Sequence, residues 1–167
     1  LEFRRVLFRS ALWISGWIVL LVILHYALRP LLAWRVQADF LVIALLVLAV
    51  RTRPAIAAFL GFVFGMLTDS LAPESFGAGA LALAVVGFSS SWLKAAFFTE
   101  NVVLNGIFVF LGKWAFDLLY MVAAHKIAFS DVVVQLLVWS PLAAVFTALI
   151  GLGVLHVSRP PEMGRRR

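Results

Sequence analysis

The chain alternates between long apolar runs and short groups of charged, proline or turn residues. A helix needs about 17 to 25 mostly apolar residues to cross the hydrocarbon core of a membrane, so each run that approaches this length predicts a transmembrane helix. Six candidate runs emerge: 11–28, 40–50, 55–71, 76–92, 102–124 and 132–157. The second is short, with a further apolar stretch at 31–34 before it. The pattern predicts an all-α integral membrane protein with about six transmembrane helices in one bundle.

The composition indicates the same class of protein. Hydrophobic residues make up 64% of the 167 residues, charged residues make up 13%, and the mean hydropathy is +1.07. A water-soluble fold has too little interior to hide so much apolar surface. We expect one polytopic membrane domain over 11–157 and a basic cytoplasmic tail over 158–167. The stretch 1–10 has no start methionine and resembles translated vector sequence, so no function is assigned to it.

Lysines and arginines set the expected orientation, because basic residues in short loops stay on the cytoplasmic side. Six spans put both termini on the same side of the membrane. With both termini cytoplasmic, most basic residues beyond position 10 fall on the cytoplasmic side: Arg51, Arg53, Lys94, Arg159, Arg165, Arg166 and Arg167, against Arg29, Arg35 and Lys126 outside. This distribution predicts a multi-pass membrane protein with both termini cytoplasmic.

Several classes of ligand are not indicated. The net charge of +6 does not predict nucleic-acid binding, because the arginines lie at the ends of apolar runs and not in a patch interleaved with aromatic residues. Cysteine is absent, which excludes thiolate metal sites and cysteine nucleophiles. His25, His125 and His156 all stand at the ends of spans, and none is spaced with another as a pair of metal ligands. We expect no metal, no cofactor and no nucleic-acid partner.

Gly61, Gly65 and Asp69 are spaced by four and therefore lie along one stripe of the third predicted helix. Small residues let another helix approach closely, and a carboxylate within a span is costly enough to need a polar partner. The stripe predicts a helix-packing or partner-binding face that delivers Asp69 to a neighbouring helix. The alternative is that Asp69 ends its helix at the outer membrane surface, since Pro73 and Glu74 follow closely.

Other ionisable residues also show helical spacing. Lys113 and Asp117 lie four apart on the fifth predicted helix and can neutralise each other as an intramembrane ion pair. A proton relay is the alternative, and it would need further titratable groups in line. Arg35 and Asp39, just before the second span, predict an interfacial ion pair. His25, isolated near the end of the first helix, predicts a hydrogen-bonded interface residue.

The sequence lacks the motifs of small membrane enzymes, among them GxSG, HExxH, the Walker A loop and DGxxAR. Asp69 and Asp117 are the residues that would form an intramembrane aspartyl dyad, the remaining catalytic alternative. Two aspartates on separate helices are weak evidence for such a site. We therefore expect a protein that is not an enzyme.

One ordered set of motifs stands out between Val36 and Gly87. Ala38-Asp39-Phe40-Leu41 opens a short apolar span, and Arg51-Thr52-Arg53-Pro54 follows it. The stripe ending at Asp69 comes next, before a turn into Gly77-Ala78-Gly79-Ala80-Leu81. In this order and spacing the segment resembles the bacterial rod shape-determining protein family MreD, and chain length, helix number and basic tail agree over the whole chain. Ala38 is a departure, because many relatives carry proline there.

The resemblance implies a non-enzymatic membrane scaffold subunit of the cell-elongation machinery. Such a subunit binds the bitopic protein MreC and, through it, MreB filaments and peptidoglycan synthases, and helps to maintain rod shape and lateral peptidoglycan synthesis. The resemblance also implies a fold similar to the S components of energy-coupling-factor transporters, and it carries over to Asp39, Gly61, Gly65 and Asp69. The alternative function is a substrate-binding membrane subunit for uptake of a vitamin-type small molecule, which would need convergent polar groups on the outer halves of its helices.

Overall fold

A computed structural model describes residues 15–27, 39–97, 101–124 and 133–157, and all regular secondary structure in these residues is helical. A 3-10 turn over Pro73–Ser75 lies between the third and fourth helices, and a π-helical segment over Gln135–Trp139 leads into the sixth. The described parts of the chain form six α-helices: α1 Ser15–Ala27, α2 Phe40–Ala49, α3 Pro54–Asp69, α4 Ala78–Phe97, α5 Val102–Ala123 and α6 Ser140–Val157.

Among the described residues, three helical segments are long and apolar enough to cross a membrane: Ala78–Ala95, Val102–Ala123 and Gln135–Leu155. The helical, membrane-protein class expected from the sequence is therefore confirmed, while six spans remain a prediction. The other three described helices are apolar but shorter. The ten residues of α2 extend over about 15 Å, roughly half the thickness of the hydrocarbon core.

The short helix α2 forms the centre of the bundle. Nine of its ten residues are buried, all except Leu48. A helix that is apolar on every side is stable only where other helices surround it, and α3, α4, α5 and α6 all pack against α2. The apolar run 40–50 is therefore a core helix and not a lipid-facing one.

Helices α3 and α4 form a closely packed antiparallel pair. Pro54 begins α3 at its first turn, where a proline costs no helical hydrogen bond. Gly77 has a φ of 93°, a conformation that glycine adopts easily, and it turns the chain into α4. At the other end of the pair, Ser91 Oγ and Lys94 Nζ both donate to the carbonyl oxygen of Thr52, each at 2.8 Å. Both ends of the pair are thus fixed by polar contacts.

Helices α5 and α6 complete the bundle by packing against each other, and α5 also packs against α4. The side chain of Asn101 caps α5 by accepting a hydrogen bond from the N–H of Val103 at 2.9 Å. The hydroxyls of Ser75 and Tyr120 lie 2.8 Å apart and join the α3–α4 turn to the last turns of α5.

Candidate functional site

The centre of the polar interior is the ammonium group of Lys113, whose side chain is 7% exposed. It donates to Asp39 Oδ2 at 2.9 Å and to Asp117 Oδ1. Lys113 and Asp117 share a face of α5 because they are four residues apart, whereas Asp39 immediately precedes α2. The ammonium group also lies 5.0 Å from the centre of the Phe116 ring. One lysine thereby links the start of the central helix to α5.

Two further side chains extend this contact to other helices. Ser140 Oγ, at the start of α6, lies 2.5 Å from Asp117 Oδ2 and donates to it. His25 Nδ1, near the end of α1, lies 3.6 Å from Asp39 Oδ1. We call His25, Asp39, Lys113, Asp117 and Ser140 the charge network. It connects α1, α2, α5 and α6.

The charge network lies inside the bundle and not at its end. The backbone N–H of Asp39 donates to Thr147 Oγ1 at 3.2 Å, and Thr147 is fully buried. Thr147 is twelve residues beyond Gln135, the first residue of the 21-residue apolar segment that includes most of α6. At 1.5 Å per residue this is about 18 Å along the helix. The central helix α2 therefore starts near the middle of the bundle.

The electrostatics of the charge network depend on burial. The side chains of Asp39 and Asp117 are 19% and 18% exposed, and that of His25 is 9% exposed. Charges at such depth are tolerated when they are paired and hydrogen-bonded, and removing one partner is strongly unfavourable. The geometry can therefore hold four helices in one arrangement.

The structure brings together residues of the charge network that the sequence analysis considered one pair at a time. Lys113 and Asp117 contact each other, as their spacing of four allows. Asp39 contacts Lys113, 74 residues away, and its predicted partner Arg35 lies outside the described residues. His25, expected to be isolated, lies beside Asp39. No local signal in the sequence identifies these long-range contacts.

Asp69 forms a second polar site, at the junction of α3 and α4. Its carboxylate is fully buried and accepts three backbone hydrogen bonds, from the N–H groups of Gly77, Gly79 and Ala80 at 3.0, 3.0 and 2.9 Å. These groups lie at the start of α4, where helix N–H groups have no partner within the helix. A Cβ atom at Gly79 would lie 2.4 Å from Asp69 Oδ1, so glycine leaves room for the carboxylate. Asp69 caps α4 from the end of α3.

Gly61 and Gly65 bring the backbone of α4 onto the same stripe of α3. A Cβ atom at Gly61 would lie 2.2 Å from the carbonyl oxygen of Leu83, and one at Gly65 would lie 2.2 Å from the Cα atom of Ala80. Both distances are far shorter than a van der Waals contact. The stripe is therefore occupied by α4 of the same chain. On this geometry a different protein cannot dock on the stripe, so that expectation is corrected, whereas the expectation of a helix-packing face agrees with the contact. Asp69 is the last residue of α3, as the alternative expected, and its carboxylate is buried against the start of α4.

The structure also bears on two other hypotheses from the sequence, the aspartyl dyad and a metal site. Asp69 and Asp117, the two members of the hypothetical aspartyl dyad, bind different partners: Asp69 binds the backbone of α4, and Asp117 binds Lys113 and Ser140. Within the described parts of the chain there is no group of three or more His, Cys, Asp or Glu residues that could hold a metal ion.

The fold and the site together define a helical bundle of membrane-protein type with a charged interior. Comparisons with protein-family models, with curated proteins and with solved structures gave no match. The function proposed below therefore depends on the geometry of the chain and on its motifs.

Proposed function

We propose that this protein is a non-enzymatic membrane scaffold of the MreD kind, a subunit of the bacterial cell-elongation machinery that binds an MreC-like bitopic protein. Through that partner it would contact MreB filaments and peptidoglycan synthases. The proposal is carried by one observation: the buried ionisable groups bind other parts of the same chain. Lys113 joins Asp39 to Asp117, and Asp69 caps α4, so these charges hold helices together.

The segment that resembles the MreD family supplies the centre of this architecture. It contains α2, α3, the first half of α4 and two of the carboxylates that fix these helices, Asp39 and Asp69. A rigid core of this kind suits a protein whose activity is to present fixed outer helix faces to a partner. Because α4 covers the glycine stripe, the partner must dock elsewhere on the bundle.

Co-purification tests the proposed partner. The tagged chain is co-expressed with MreC from the same genome and extracted in mild detergent, and an unrelated bitopic protein of similar span length serves as the control. We expect MreC to be retained and the control protein to be lost. Equal retention of both proteins, or of neither, would contradict the scaffold proposal.

Photo-crosslinking then locates the docking face. A photoreactive residue replaces one outward-facing side chain on each of three helices: Phe59 on α3, Trp92 on α4 or Leu149 on α6, which are 65%, 74% and 64% exposed. The buried Phe64 on α3 is the matched negative control, at 8% exposed. We expect crosslinks to MreC from one outward position and none from Phe64.

The proposal includes a location in the bacterial inner membrane with both termini cytoplasmic. Arg53 precedes α3 and Glu74 follows it, so these two exposed residues mark opposite ends of the α3–α4 pair. The chain has no native cysteine, so single cysteines at the two positions can be labelled without background. We expect a membrane-impermeant maleimide to label Glu74→Cys in intact spheroplasts and Arg53→Cys only after lysis. The reverse pattern would invert the topology.

One observation favours the second candidate, a substrate-binding membrane subunit for uptake of a small molecule. The central helix α2 starts near the middle of the bundle, and membrane transporters use interrupted helices of this kind to place polar groups at mid-membrane. A small molecule that raises the unfolding temperature of the purified protein in a vitamin-type ligand screen would support this function. We expect no such ligand if the protein is a scaffold.

A further inference from the structure

Basic side chains gather at one end of the α3–α4 pair. Lys94 Nζ donates to the carbonyl oxygen of Thr52 at 2.8 Å, and Arg53 is the next residue after Thr52. Arg51, in the same turn, has a separate interaction and is not counted here. Two cationic residues from distant parts of the chain, Arg53 and Lys94, therefore meet at the turn between α2 and α3.

Neither of these two cations is neutralised by a carboxylate in the described parts of the chain, where every ion pair belongs to the charge network. Arg53 is exposed. Lys94 uses one of its three ammonium protons for Thr52, which leaves two for another acceptor. The two side chains can therefore bind an anion from outside the protein.

The same end of the pair lies at the depth of lipid headgroups. Trp92 precedes Lys94 by two residues, so the two differ by about 3 Å in position along the axis of α4. Trp92 is 74% exposed, and an outward-facing tryptophan at the end of a span is typical of the interface between hydrocarbon and headgroups. Ile56, one turn after Arg53, is 49% exposed on the outer apolar face of α3. An anion bound at Arg53 would therefore have lipid-facing apolar surface beside it.

We propose that Arg53 and Lys94 bind the headgroup phosphate of an anionic phospholipid, with an acyl chain of that lipid along the outer face of α3 at Ile56. A guanidinium group presents two parallel N–H donors to phosphate oxygens, and an ammonium group adds a point charge. Phosphatidylglycerol has no cation of its own near the phosphate, whereas phosphatidylcholine carries one that competes with the protein. The site therefore selects anionic over zwitterionic lipids, whichever protein the bundle binds.

Fluorescence quenching by labelled lipids tests the site in a bilayer. The chain has no native cysteine, so Ile56→Cys can carry a bimane label beside the site. Leu67→Cys, 43% exposed near the other end of α3, carries the label in the control protein. Each full-length protein is reconstituted in phosphatidylcholine vesicles with the same fraction of nitroxide-labelled phosphatidylglycerol or nitroxide-labelled phosphatidylcholine.

We expect the anionic lipid to quench the label at position 56 more strongly than the zwitterionic lipid, and the two lipids to quench equally at position 67. Equal quenching by both lipids at position 56 would overturn the proposal. The same preference at both positions would also overturn it, because the attraction would then be general and not local.

Two variants connect the preference to the named side chains. The Arg53 side chain makes no cap hydrogen bond, so Arg53→Gln should leave the fold intact while the preference for the anionic lipid falls about fivefold. Adding Lys94→Met should lower the preference further. Arg166→Gln with Arg167→Gln removes the same number of charges from the C-terminal tail and should leave the preference unchanged. An unchanged preference in Arg53→Gln, or an equal loss in the tail variant, would contradict the assignment.

Inorganic phosphate distinguishes a lipid site from a site for a soluble anion. Excess phosphate in the buffer, compared with chloride at the same ionic strength, should leave the quenching by labelled phosphatidylglycerol unchanged. Loss of quenching in phosphate but not in chloride would show that the site takes the soluble anion and would overturn the assignment to a lipid.

Discussion

Lys113 Nζ lies 2.9 Å from Asp39 Oδ2, although the two residues are 74 positions apart in the chain. This contact connects the start of the central helix to α5 inside a bundle whose interior is mostly apolar. A buried lysine and the two carboxylates beside it are stable only when all three are present, because each charge compensates the desolvation of the others. The loss of one member should therefore have a larger effect than the loss of an exposed charge.

Replacement of Lys113 with methionine tests this statement. Lys113→Met leaves Asp39 and Asp117 buried without their shared cation, and we expect a loss of about 3 kcal/mol in the free energy of unfolding. Lys94→Met is the matched control, because Lys94 is partly exposed and donates to the carbonyl oxygen of Thr52 at one end of α4. Its effect should be below about 1.5 kcal/mol. Denaturant unfolding in detergent micelles measures both variants, and equal effects would contradict the central role of Lys113.

Asp69 provides a prediction about helix capping. In Asp69→Asn, an amide NH₂ group faces one or two of the three N–H donors that the carboxylate now binds. We expect a loss of about 2 kcal/mol from the unsatisfied donors. Glu74→Gln, in the same turn but exposed, should change stability by less than about 0.5 kcal/mol. Hydrogen exchange should show faster exchange at the first amides of α4 in Asp69→Asn only, and unchanged exchange there would exclude the capping role.

The glycines of α3 provide a prediction about helix separation. Gly65→Ala places a methyl group against the Cα atom of Ala80, so α3 and α4 must move apart, at a cost of about 1 to 3 kcal/mol. Gly153→Ala is the control on α6, because in the described residues the added methyl group would have no atom within 4 Å beyond its own stretch of helix. Alanine is a better helix former than glycine, so this control should be neutral or slightly stabilising. Thermal unfolding of the two variants compares them, and a stable Gly65→Ala would contradict the close approach of α4.

Local contacts could be predicted from the sequence, and long-range ones could not. The spacing of four identifies the Gly61, Gly65 and Asp69 stripe and the Lys113–Asp117 pair because helical periodicity is a local property. The identity of the helix that covers the stripe depends on the turn at Gly77, where the backbone folds α4 back onto α3. The sequence therefore indicated a close-packed face but not which helix occupies it.

The central position of α2 has a signal in the sequence. The run 40–50 is too short to cross a membrane and contains no polar residue on any side, which together indicate a buried core helix. The contacts of Asp39 with His25 and Lys113 carry no such signal, because they join residues from three separate helical regions. Charge balance among buried groups can be evaluated only once the bundle has brought them together.

A substitution at Thr147 tests whether its hydrogen bond to Asp39 holds the start of α2 inside the bundle. Thr147 Oγ1 accepts the backbone N–H of Asp39, and Thr147→Val keeps the shape of the side chain while it removes this acceptor. A buried N–H group without an acceptor costs about 1 to 3 kcal/mol. Thr68→Val is the matched control, because Thr68 Oγ1 only donates to the carbonyl oxygen of Phe64 on its own helix. We expect Thr147→Val to lower the unfolding temperature and to speed hydrogen exchange in the first turn of α2, whereas Thr68→Val leaves that exchange unchanged. If both variants leave it unchanged, the hydrogen bond between Asp39 and Thr147 does not hold the start of the central helix in place.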